Sequence, residues 1–192
     1  MNGATDNLRQ SLREATSRAH DLLDRSMQEA AGWTSTHEYT RFLSLQYAAH
    51  RPVEEWLDRN APDEMLPPPQ SPLIADDLAR FGLKTPAHTC TFALDEKPVR
   101  REGVGAALGV AWVLAGSSLG NRAILAEIKR ASNGSQWPHR FLGDENMLAF
   151  WKGLRRSIER PASIHEVDAS TAAAHAVFAH FLRVAKTAET VS

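Results

Sequence analysis

The chain has 192 residues, 22 basic against 23 acidic side chains, a net charge of −1 and one cysteine, Cys90. That length suits a single domain over residues 1–192 with a sizeable core. Its balanced charge excludes the whole-chain electrostatic footprint of a nucleic-acid or anionic-membrane binder. A lone cysteine excludes a disulfide framework or a Cys-based zinc motif and fits a reducing, cytoplasmic compartment.

The N-terminal Met-Asn-Gly-Ala-Thr-Asp-Asn lacks signal-peptide order, and no uninterrupted apolar run is long enough to span a bilayer. The expected partner is a small molecule or a protein. Apolar residues recur at helical spacing and nowhere alternate with period two, which predicts an all-α protein. A first helix is expected from Thr5 or Asp6, either able to cap it, to about Gln28, with Leu8, Leu12, Ala15, Ala19 and Leu23 as its core stripe. A second opens on the capping box Ser35 to Glu38 and carries Tyr39, Phe42, Leu43, Tyr47, Val53, Trp56 and Leu57. Pro52 inside it predicts a kink near Ala48 to Arg51 rather than two helices. The proline-rich stretch Ala61 to Pro72 reads as a stiff surface connector. A third helix is expected from about Pro72 to Phe81, stopped by Gly82. Lys84 to Pro98 shows no period and reads as loop. A long helix from about Val99 to Ala131, closed by Asn133-Gly134, is followed by helices at about Asp144 to Ile158 and Val167 to Lys186.

Two helix faces carry the chemistry. At about 100° per residue, Thr16, His20 and Met27 flank the core stripe of the first helix, with Arg13 just beyond. An imidazole at that edge can offer one nitrogen to a metal while Asp24, a turn later, accepts from the other and fixes the tautomer. An ordinary half-buried histidine satisfies the same pattern.

In the long helix, Gly105, Gly109, Gly116 and Gly120 fall within about 60° of one another. Each costs about 1 kcal/mol against alanine, so something requires that bare face. Close packing of another helix is one explanation, and a flat ligand lying on backbone is the other, with Ser117 and Ser118 placed to hold water. A planar, metal-centred ligand between this helix and His20 is best matched by haem.

These residues resemble the haem oxygenase family. Leu12-Arg-Glu-Ala-Thr-Ser-Arg-Ala-His20 is similar to its proximal helix, and Trp112-Val-Leu-Ala-Gly-Ser-Ser-Leu-Gly-Asn-Arg-Ala-Ile124 to its distal helix. Tyr39 to Leu43, Arg51 to Leu57 and Leu78 to Gly82 match bacterial members in order and spacing, so about four fifths of the chain is covered. The resemblance implies an all-helical fold clamping haem between the first helix and a kinked glycine-rich helix. It implies His20 as the axial iron ligand, with Asp24 as its partner and Thr16 lining the same helix. Arg13, Lys152 and Arg156 are implied as cations for the haem propionates, and Trp112 stands where a tyrosine is common. Gly116, Ser117, Gly120 and Asn121 are implied on the oxygen side. The family oxidises haem to biliverdin, carbon monoxide and iron with O2 and electrons from a donor such as a ferredoxin or a reductase, and phytochrome-associated bacterial members pass biliverdin to a phytochrome.

The chain departs from the family at two points. Asn121 stands where many members have a second glycine, and Ser117 where many have an aspartate that organises water. The alternative function is therefore a haem-binding or haem-sequestering protein without turnover. A third reading, the thiaminase-like branch of the fold, needs a nucleophilic cysteine, and Cys90 lies in an irregular segment. His50, His88, His139, His165, His175 and His180 form no metal set by spacing. His50 reads as a packed polar side chain.

Overall fold

The structure is a computed structural model that describes residues 7–87, 90–94, 102–131 and 136–189. Six helices account for most of it: α1 Leu8–Ala30, α2 Thr36–Asn60, α3 Ser71–Arg80, α4 Glu102–Ala131, α5 Glu145–Ser157 and α6 Ile164–Glu189, with one 3-10 turn at Asp63–Met65. No strand occurs among the described residues. The expected closure of α4 at Asn133-Gly134, and the loop from 95 to 101, lie outside them.

Helix α6 is the support. It packs on α4, α1 and α2, while α5 packs on α4 and α3 on α2. Helices α1 and α4 share α6 but make no comparable contact with each other. The first turn of α1 is tied to the end of α5 by Leu8 N–H to the Arg160 carbonyl, 3.0 Å, and Arg9 N–H to that of Ile158, 3.2 Å.

Local chemistry explains most boundaries. The cap of α1 is Asn7, whose Oδ1 accepts from the N–H groups of Arg9 and Gln10 at 3.0 and 3.3 Å, so the helix starts later than Thr5 or Asp6. Its buried face is also turned toward the flank: Leu8, Leu12, Thr16, Met27 and Ala30 are buried, whereas Ala15, Ala19 and Leu23 are only partly so. The Ser35–Glu38 capping box forms as expected. Helix α2 runs unbroken through Pro52. Gly82, at φ 73°, follows α3 in the left-handed region.

Helix α4 is long and apolar. By length and mean hydropathy, 1.3 over Val104–Arg130, it is apolar enough to cross a membrane, although no uninterrupted run shows it. Of that stretch 72% is buried inside the fold, where the apolar side chains serve packing on α6, α5 and α2.

Candidate functional site

The glycine stripe of α4 divides in two. A Cβ on Gly109 would lie 2.0 Å from the Ser170 carbonyl oxygen of α6, and one on Gly105 3.1 Å from the Ala169 Cβ. These two glycines let the backbones of α4 and α6 approach. About two and three turns further, α6 no longer covers the face: a Cβ on Gly116 would meet only the edge of the Trp151 ring at 3.7 Å, and one on Gly120 nothing within 4 Å. The helix-packing explanation thus accounts for the first pair and not for the second.

Helix α1 packs on α6 as α4 does. His20 is half exposed, its Nδ1 3.2 Å from Asp24 Oδ2, which leaves Nε2 as the nitrogen available to a ligand. Its ring lies edge-on to Phe178 of α6, centroids 6.3 Å apart, so α6 fixes one side of the imidazole. Desolvation raises the Asp24 carboxyl above its ordinary value, against the pull of His20 and with a contribution from Asp21. Thr16 is buried and donates its hydroxyl to the Leu12 carbonyl at 2.7 Å, so it serves the α1 packing face.

The other sequence-identified residues are placed unequally. Arg13 on α1 and Lys152 and Arg156 on α5 are exposed. The α1–α5 backbone bonds bring Arg13 and Arg156 to the same end of the fold. Trp112 is buried in the core, its ring tilted against Trp151 at 4.8 Å. It stands behind Gly116 as part of a tryptophan wall rather than at an exposed edge. Ser117 donates its hydroxyl to the Leu114 carbonyl at 2.7 Å, so that proton is committed to its own helix. Ser118 is buried with its Oγ unpartnered, and Asn121 is buried beside it in sequence.

A flat macrocycle lying on α4 needs backbone without side chains, and Gly116 and Gly120 supply it. An iron at its centre needs a neutral imidazole with a fixed tautomer, and the His20–Asp24 pair supplies that. The residues present fit haem on both counts. Among the described residues no cluster of three or more His, Cys, Asp or Glu could hold a metal ion, so any iron here would come with its own macrocycle.

His50 is a packed polar side chain as expected, but the sequence reading missed Glu54 and His180 as buried polar groups of the same region. Glu54 Oε1 accepts from the N–H groups of Gln70 and Ser71 at 2.6 and 3.1 Å, and Oε2 accepts from the Ser71 hydroxyl, so a carboxylate from α2 caps α3. Burial raises its pKa, against those hydrogen bonds. His50 and His180 lie fully buried beside it. Their sequence signal was only position on helix faces otherwise apolar.

The fold is all-helical among the described residues, with His20 and the Gly116–Gly120 stretch on two helices, α1 and α4, that both pack on α6. The family model described as Heme oxygenase matches residues 6–80. The structure is similar to that of the haem oxygenase from Neisseria meningitidis, known from crystal structures with NO and CO bound. The TM-score is 0.69 at 18% sequence identity, covering 98% of this chain and 94% of that one. No curated protein matches the chain in sequence. Residues 6–80 thus match the haem oxygenase family model, and the chain has the haem oxygenase fold over nearly its whole length.

Proposed function

We propose that the chain binds haem between α1 and α4 and oxidises it to biliverdin, carbon monoxide and iron. The observation that carries this reading is the bare Gly116–Gly120 face, which packing against α6 does not use, on a fold that also presents His20 with Nδ1 held by Asp24. Haem, when bound, is both the substrate and the group that activates O2.

The protein's tasks are then positional. Asp24 fixes the His20 tautomer so that neutral Nε2 faces the iron. Gly116 and Gly120 let the α4 backbone approach the ring, with the Trp112–Trp151 wall behind Gly116. Arg13, Lys152 and Arg156 are the exposed cations offered to the two propionates. Asn121 and the unpartnered Ser118 hydroxyl are the polar groups of the distal helix not committed to its own carbonyls. They supply hydrogen-bonding capacity for water near Gly120. A ferredoxin or a reductase supplies the electrons, and a phytochrome is a possible recipient of the product.

One observation favours the second reading, a haem binder without turnover. Ser117 stands where many relatives carry an aspartate, and its hydroxyl is spent on the Leu114 carbonyl, so it organises water weakly. An absorption time course separates the two. Purified protein is mixed with haemin and then given ascorbate or a ferredoxin system in air. A Soret band that forms and decays into a broad biliverdin band supports turnover; a persistent band makes the chain a haem binder; no band removes haem from the account.

A further inference from the structure

Two imidazoles and a carboxylate meet where α2 packs on α6. His50 of α2 is 1% exposed and neither ring nitrogen has a hydrogen-bond partner. Glu54 Oε1 lies 3.7 Å from its Nδ1, beyond hydrogen-bond reach, and that carboxylate is already taken by the start of α3. From α6, His180 Nε2 is 3.1 Å from the Ala49 carbonyl oxygen, while its Nδ1 is buried and unpartnered. A carbonyl only accepts, so the His180 proton sits on Nε2 and Nδ1 is a bare acceptor. Both imidazoles lie edge-on to Phe181, at 5.2 and 6.1 Å, with Phe141 completing the surroundings of His50 and Phe92 those of His180.

Folding therefore holds both rings neutral in apolar surroundings. Burial, with some repulsion from His180, depresses His50 to about 3, and burial also lowers His180. Of the charged groups around them, the Glu54 carboxylate is placed to attract a His50 imidazolium, at 3.7 Å but outside hydrogen-bond reach. On α2, Glu54 is committed to Gln70 and Ser71, and Arg51 is paired with Glu55 at 2.9 Å. On α6, Arg183 disfavours a charge on His180. The segment before α5 presents the Phe141 ring, whose N–H is held by Asp77 at 3.0 Å.

We propose that His50 and His180 form an acid-sensitive latch between α2 and α6, which opens when either imidazole takes a proton from solvent. A charged ring cannot stay between Phe181 and its neighbours without a partner, so α6 must part from α2 to let water in. The movement reaches the cleft: Phe178, two residues before His180, is the residue that packs on His20, and α6 supports both α1 and α4.

Hydrogen exchange on the ligand-free chain tests this at pH 7.5 and pH 5.0, with rates corrected for intrinsic exchange. A group whose pKa falls from about 6.5 when open to about 3 when closed raises the opening constant about 30-fold over that interval. Peptides covering 176–184 of α6 and 16–24 of α1 should lose at least that much protection together, and those of α5 should lose less. His50→Gln and His180→Gln each remove one titrating ring; the first should cut the pH effect about 30-fold and the second should reduce it in the same direction. The wild-type comparison of α6 with α5 stands even where a variant fails to fold. A loss below threefold in α6, an equal loss in every helix, or variants with the wild-type pH dependence would overturn the latch.

Discussion

The two halves of α4 use the same residue for opposite ends. Gly105 and Gly109 are bare because another helix is there; Gly116 would meet only the edge of the Trp151 ring, and Gly120 is bare although nothing of the protein lies within 4 Å. A glycine in a helix forgoes about 1 kcal/mol, and packing explains that cost only in the first half. The difference teaches that a glycine stripe is not one feature. Where its face meets backbone it reports helix packing, and where its face stays open packing does not account for it.

That contrast is breakable by substitution, and the largest effect is expected at Gly109. In Gly109→Ala the new Cβ meets backbone that cannot rotate away, so the variant should lose more than about 3 kcal/mol in chemical denaturation or fail to fold. Near-wild-type stability would mean that α4 and α6 slide easily, and the packing half of the comparison would fail. His20→Ala should leave stability within about 0.5 kcal/mol because the ring is half exposed, while abolishing the absorption of an axially ligated haem. An unchanged spectrum would remove His20 from the site. For Gly105→Ala the neighbour at 3.1 Å is the Ala169 methyl, and the expected cost is about 1 kcal/mol, partly offset by helix propensity. Smallest is Gly120→Ala, which should stabilise the ligand-free chain by about 0.5 to 1 kcal/mol. A loss at that position would show that its bare face is structural after all.

Much of this was legible in the sequence because it is periodic and local. The helical pattern, the Ser35–Glu38 box and the stop at Gly82 depend on residues a few positions apart, and the structure keeps all three. The azimuth of His20 at the edge of the α1 core, and Asp24 one turn on, are likewise helix geometry. What the sequence could not resolve depends on partners far along the chain. Nothing near Gly109 announces that Ser170 will sit against it, and so nothing divides the stripe. Glu54 caps α3 from another helix, and His180 reaches back to Ala49 across 131 positions. The motif placed Trp112 only as standing where a tyrosine is common; its tilted contact with Trp151, from a helix far along the chain, shows it as part of the core.

The most direct test is a haemin titration of Gly120→Leu followed by its Soret absorption, beside the wild-type chain. The substitution places a side chain where a Cβ now meets nothing within 4 Å, in a helix that leucine favours. The account predicts a fully folded protein whose haem affinity falls at least about tenfold, a loss of about 1.4 kcal/mol. Wild-type affinity in that variant would contradict it, because the open half of the α4 stripe would then not be where the ligand lies.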